Sequence, residues 1–187
     1  MPTDARLTLA REIQTLLKQS NRMLVCAESC TAGLVAATLA GIPGASEWLC
    51  GSAVVYRNAT KTAWLGVSSE SLIDPACGDV CRETAIRMAE GVLAVTPEAA
   101  VAISITGHLG PNAPQNIDGV IYVGWAERNQ RTPEVPTVRC ERVELQQPTP
   151  VDQDDVTRRL VRQYEATDCV LRYARDCLQS AIAPPIH

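Results

Sequence analysis

Val25-Cys26-Ala27-Glu28-Ser29-Cys30-Thr31-Ala32-Gly33-Leu34 is the stretch on which the reading of this chain turns. A short apolar run (Met23, Leu24, Val25) passes into small polar residues, and these pass into the helical pattern Leu34, Val35, Ala36, Leu39. The spacing predicts strand, tight turn and helix, with Ser29, Thr31 and Gly33 at the helix mouth. Unpaired backbone N–H groups and the helix dipole favour an anion at such a mouth. Ser29 is therefore a candidate nucleophile and the turn a candidate phosphate or oxyanion cradle. A plainer reading makes Thr31 an N-cap and the small residues a means of close packing. The segment alone leaves both open.

Alternation continues on either side. An amphipathic helix is predicted over Pro2–Ser20, with Leu7, Ala10, Ile13, Leu16 and Leu17 on one stripe. Strands are predicted at Met23–Ala27, 49–57, Ala99–Ile105, Val120–Ala126 and Thr137–Leu145. Helices are predicted at Thr31–Ala40, Val80–Val95 and Asp152–Ser180, with a turn or short helix at Asn58–Gly66 and a tail frayed from about residue 181. Strands alternating with helices indicate a layered α/β sheet. The short polar link between the last two strands makes a hairpin there, so the sheet is mixed.

A chain of 187 residues suits one domain, here taken as 1–187. Net charge of −4 argues against nucleic-acid or anionic-membrane partners, and no apolar run approaches the ~20 residues that span a bilayer. The N-terminus lacks the basic and apolar regions of a signal peptide, which points to the cytoplasm. The eight cysteines include no Cys-x-x-Cys pair, and there are two histidines. They read as small buried hydrophobes rather than disulfides or metal ligands, and no metal or cofactor is expected.

Two further groups follow predicted strands. Tyr56, Asn58 and Lys61 are spaced Tyr-x-Asn-x-x-Lys. A lysine drawn into a site loses solvation, its pKa falls from ~10.4 towards neutrality, and it can act as a general base without histidine. Spacing by itself favours a solvated Lys61 and a core Tyr56. The other group is Ser104, Thr106, Gly107, His108, Leu109, Gly110 and Pro111. Its glycines allow backbone amides to approach a ligand, although a plain turn also accounts for them. His108 reads as incidental. All three groups follow strands, so they can converge at one sheet edge, where open α/β sheets bind ligands.

In this order and spacing the three groups resemble the CinA C-terminal-domain family of nicotinamide-mononucleotide amidohydrolases. The resemblance runs through Ala27–Gly33 (Ala32 replacing a family glycine), Pro43-Gly44-Ala45-Ser46, and Gly51 to Lys61. It continues through Leu65-Gly66-Val67, Met88–Gly91, Thr106–Pro111 and Gly119, and covers about residues 5–126. It implies a three-layer α/β/α sandwich around a mixed, mostly parallel sheet. It also implies Ser29 as nucleophile, Lys61 as its base and Tyr56 as an assisting hydroxyl. Thr31, Gly33, Asn58, Thr106, Gly107 and Gly110 would contact a small nucleotide substrate. The family resemblance and the long apolar-faced first and last helices point to a homodimer.

The departures from the family pattern are specific. Its loop after Gly-Pro is replaced by the shorter Asn112-Ala113-Pro114, and its Val-Ser-Glu helix start by Val80-Cys81-Arg82, which loses a capping hydroxyl. Its Gly-Asp-Arg before the last helix is Val151-Asp152-Gln153 here, so a site arginine becomes glutamine. Arg158 and Arg159 are the candidates to restore the charge. With a helix starting at Asp152, Arg158 points away from the face of Gln153, so compensation is not expected. Weak or absent amidase activity follows, with a gain on Gln153→Arg. A non-catalytic homologue that binds a nucleotide or a protein partner is the alternative, and an amidase for a substrate without the phosphate is a third.

Overall fold

Alternate residues of the central strands face two separate apolar layers, and this alternation makes the sandwich. The computed structural model describes residues 4–111, 113–114, 116–129, 132, 135–146 and 154–182. Five strands, β1 (Leu24–Glu28), β2 (Leu49–Val54), β3 (Val101–Gly107), β4 (Val120–Glu127) and β5 (Thr137–Glu144), form one sheet in the order β2-β1-β3-β4-β5. Strands β2, β1 and β3 are parallel neighbours, while β4 is antiparallel to both β3 and β5. Four strands thus point one way and β4 alone is reversed. The expected three-layer arrangement on a mixed, mostly parallel sheet is what the chain adopts.

One face of the sheet carries α1 (Asp4–Gln19), α2 (Leu34–Ala40) and α6 (Asp155–Ile182). Ile13, Leu17, Val35, Leu39, Val170 and Leu178 from these helices pack on Cys26, Ile103, Ile105 and Trp125. The other face carries α3 (Asn58–Leu65), α4 (Ser69–Ile73) and α5 (Arg82–Ala94). There Leu65, Leu72, Met88 and Val92 pack on Val25, Ala27 and Ala102. Arg6 of α1 and Asp168 of α6 pair at 2.5 Å with Arg6 only 4% exposed, and the Arg6 guanidinium stacks on Tyr164 at 4.9 Å. This pair fixes the two long helices against each other.

Several sequence expectations change. Helix α4 was not foreseen, because its five residues are too few to show a period. Helix α6 begins at Asp155, with the Asp154 carboxylate accepting from the N–H groups of Val156 and Thr157 at 2.9 and 3.1 Å. That is later than the expected Asp152, which with Gln153 lies outside the described residues. At its far end α6 runs through Ile182, past the point where fraying was expected. The lost serine cap of α5 is supplied by sulfur, since Cys81 Sγ accepts from Thr84 N–H at 3.3 Å.

The cysteines divide. Cys26, Cys30 and Cys177 are buried as expected, but Cys77 and Cys81 form a disulfide. The two lie at the ends of one tight turn with Cα atoms 5.4 Å apart, a separation that a disulfide spans. Among the described residues, no helix is long and apolar enough to cross a membrane.

Candidate active site

The carboxyl ends of β1, β2 and β3 lie side by side, and a cleft of about 220 Å³ opens beyond them. Ser29 follows the last residue of β1, and its N–H donates to Ile105 O of β3 at 3.0 Å. A tight turn comes next, with Ala32 N–H donating to Ser29 O at 3.0 Å and both Ala32 (φ +53°) and Gly33 (φ +98°) in the left-handed region. Ser29 is 7% exposed and lines the cleft, and among the described residues its hydroxyl makes no hydrogen bond. From α6, the Gln163 side chain donates to Cys30 O at 3.0 Å and holds the turn from the other side.

The mouth of α2 is already occupied, by Glu28. This carboxylate is 1% exposed and accepts from five donors: Thr31 Oγ1 (2.8 Å), Gly33 N (2.9 Å), Val35 N (3.1 Å), Ala36 N (2.9 Å) and Ser52 Oγ (3.1 Å). A buried carboxylate needs this many donors to offset its lost hydration. The anion expected at the helix mouth is therefore the protein's own. Thr31 and Gly33, expected as substrate contacts, spend their donors on Glu28 and border a separate shallow groove between α2 and α6.

The 56–61 group divides in the same way. Tyr56 lines the cleft. Asn58, the first residue of α3, borders instead a groove with Leu72 and Ile73 of α4, away from Ser29. Lys61 is not a solvated lysine: it is 1% exposed and is not among the residues that line the cleft. Burial pulls its pKa down from 10.5, while the nearby charges of Asp79 and Cys30 pull it back up. No hydrogen bond joins Lys61 Nζ to Ser29 Oγ among the described residues. Cys30, beside Ser29, is buried too, and burial pushes its thiol up to about 12, which rules it out as a thiolate nucleophile near neutral pH.

The third group stays together. Thr106, Gly107, His108, Leu109, Gly110 and Pro111 all border the cleft. Thr106 Oγ1 donates to Asp79 O at 2.6 Å, which pins the 77–81 turn to β3. A Cβ on Gly107 would meet Ile121 Cγ2 at 2.5 Å and Val120 O at 2.9 Å, so no side chain fits between β3 and β4 there. Gly110 has φ +59°. Ser104 does not border the cleft: it lies deeper on the same face of β3 as Thr106 and donates to Ala85 O of α5.

Helix α6 supplies the charge for which Arg158 and Arg159 were the sequence candidates and which was not expected to reach the site. Arg159 donates to Gly110 O at 2.6 Å and to the Tyr56 hydroxyl at 2.5 Å, and it lines the cleft. Both acceptors are neutral, and among the described residues no carboxylate pairs with Arg159. Arg162 grips Asp118 with two bonds of 2.6 and 3.1 Å, which ties down the far end of the glycine loop. The charge expected to be missing is thus present, on Arg159 rather than on Arg158, which pairs with Asp155 at 3.5 Å. The i, i+3, i+4 spacing of Arg159, Arg162 and Gln163 was the available signal, since it sets all three on one helix face.

An open α/β sheet with a serine turn and an arginine around one cleft, and a buried lysine outside its lining, defines the class of fold and site. The comparisons with known proteins narrow the class to a family. The chain belongs to the CinA C-terminal domain family, whose model matches residues 6–151. It is 40% identical over 131 residues to a CinA-like protein of Myxococcus xanthus, covering 69% of this chain and 29% of that one. It is 39% identical over 123 residues to a putative competence-damage inducible protein of Clostridium perfringens, covering 65% and 29%. The chain thus spans less than a third of the length of these relatives.

Among solved structures, the competence/damage inducible protein CihA from Agrobacterium tumefaciens superimposes with a TM-score of 0.80 at 27% identity, over 96% of this chain and 98% of that one. A CinA-superfamily protein of Klebsiella pneumoniae gives 0.77 at 21% identity over 94% and 98%, which is a likeness of fold.

Proposed function

We propose that this cleft hydrolyses the carboxamide of nicotinamide mononucleotide or a close analogue, by a Ser29–Lys61 mechanism and without a metal. The observation that carries the reading is Ser29 in one cleft with Arg159, where, among the described residues, the serine hydroxyl makes no hydrogen bond and the arginine no carboxylate pair. Arg159 holds the phosphate by charge-assisted hydrogen bonds. Ser29 Oγ attacks the amide carbon while its proton passes to Lys61 Nζ in its deprotonated form, the form that burial favours. Tyr56 accepts from Arg159 and so keeps its own O–H to donate to the developing oxyanion. The C–N bond then breaks, and the proton on Lys61 leaves with ammonia. Water hydrolyses the acyl ester, releasing the acid mononucleotide and restoring Ser29. The Ser29–Lys61 contact forms when substrate binds, since catalytic hydrogen bonds tighten in the Michaelis complex.

A second reading is favoured by the absent Ser29–Lys61 bond: a homologue that binds the nucleotide or a protein partner without turnover. Ammonia release from nicotinamide mononucleotide, measured beside a Ser29→Ala control, decides between them. Release above the control supports the amidase, and binding without release supports the second reading. A homodimer and a cytoplasmic location belong to the same proposal. Light scattering that returned the 20.2 kDa mass at micromolar concentration would end the dimer.

A further inference from the structure

Asp79 contacts no reacting group in the mechanism above, its charge acting only on Lys61, yet it lines the cleft together with Ser29, Tyr56 and Arg159. Its backbone is held from three sides. Thr106 Oγ1 donates to Asp79 O at 2.6 Å, Thr84 Oγ1 donates to Gly78 O at 2.7 Å, and the Cys77–Cys81 bond closes the turn around it. The side chain is treated in the opposite way. Among the described residues the Asp79 carboxylate makes no hydrogen bond and no ion pair, although it is only partly exposed. A rigid backbone bordering a cleft with a carboxylate that has no protein hydrogen-bond partner among the described residues is an arrangement suited to a ligand.

The charges of the cleft support this. Among the described residues Arg159 is bonded only to neutral acceptors, and the Asp79 carboxylate has no ion pair, its charge reaching the buried Lys61 at longer range. A ligand that satisfies both charges carries a negative group at one end and a positive group at the other. A phosphate joined to a pyridinium carboxamide has that form, and a neutral amide of the same shape lacks the positive half. Lys61 feels the Asp79 charge but forms no ion pair with it, which leaves the carboxylate oxygens free of a direct cation contact.

We propose that Asp79 is a specificity-determining residue that selects amides borne on a cationic heteroaromatic ring over neutral ones, a role that rests on the amidase reading. The test compares wild type with Asp79→Asn on nicotinamide mononucleotide and on its reduced, uncharged dihydropyridine form. The intrinsic difference in amide reactivity cancels when each variant rate is divided by the wild-type rate on the same substrate. Any effect of the lost charge on Lys61 acts on both substrates and cancels as well. Asp79→Asn should lower kcat/KM about tenfold on the cationic ring, mainly through KM, and leave the neutral ring within about twofold. Equal losses on both substrates, or no loss on either, overturn the role.

Should wild type hydrolyse neither compound, the amidase reading fails and the role of Asp79 is still decided by binding. Calorimetric titration with the two compounds then supports it if wild type prefers the cationic ring and Asp79→Asn does not. It overturns the role if the preference is absent or survives the substitution. Matched melting temperatures for the two proteins show that the turn is intact.

Discussion

Arg159 and Tyr56, 103 residues apart in sequence, are joined by a 2.5 Å hydrogen bond across the mouth of the Ser29 cleft. The last helix is thereby tied to the loop after β2, and a guanidinium is held where an anionic ligand would enter. Arg159→Ala should raise KM for a phosphorylated substrate roughly ten- to a hundredfold, since a charge-assisted hydrogen bond is worth ~1.5–3 kcal/mol. Arg159→Lys should recover part of that, because an ammonium keeps the charge and loses the fork. Steady-state kinetics on nicotinamide mononucleotide and its dephosphorylated nucleoside checks both. An equal effect on the two substrates would assign Arg159 to the fold alone.

Lys61 sets a pH dependence whose sign follows from burial. Its folded pKa lies below 10.5 and its unfolded value near the ordinary one, so the unfolded chain binds more protons between the two. Stability therefore rises with pH across that window, and the penalty is fully present below the folded value. Lys61→Met should be inactive, should melt higher than wild type at pH 7, and should lose the rise. Melting curves from pH 7 to 10.5 test this, and a lower melting temperature for the variant at pH 7 counts against a buried ammonium.

Glu28 is the polar centre of the α2 junction. Glu28→Ala leaves five donors without an acceptor, so a loss of about 3 kcal/mol or more is expected, with Ser29 displaced along with the turn. Urea denaturation measures it. A loss under about 1 kcal/mol would mean that water replaces the carboxylate.

Ala32 stands in the left-handed region at the position where the family resemblance has glycine. Relief of that strain is worth about 1–2 kcal/mol, and the extra freedom of glycine in the unfolded chain takes back roughly half. Ala32→Gly should come out stabilising by up to about 1 kcal/mol, while Ala32→Val should destabilise. The order of the three melting temperatures is the readout.

Thiol titration addresses the Cys77–Cys81 bond. Six cysteines are free and two are bonded, so the denatured, unreduced protein should react at six sites and the reduced protein at eight. Eight reactive sites before reduction would show that the two sulfurs are not joined.

The layered fold was legible because each part of it is written locally. Val25 and Ala27 alternate with Cys26, Leu34 and Val35 begin a helical period, and Gly107 and Gly110 mark a turn at a strand end. Periodicity and turn chemistry act over a few residues, so the order of elements and the placing of Ser29 and Tyr56 beyond strand ends could be read directly, whereas Thr106 proved to lie within β3. Tertiary structure alone decided which side chains share a cleft. Thr31 and Gly33 turn to Glu28, and Asn58 turns to α4, because a buried carboxylate and an apolar groove claim them. Lys61 is covered by helix and sheet, although its neighbours in sequence would suit a solvated surface. The arginine arrives from α6, about fifty residues beyond the glycine loop, because the packing of that helix on the sheet brings Arg159 to Gly110 and Tyr56. Contacts between distant segments depend on how layers stack, and that information is spread over the whole core rather than held in any one stretch of sequence.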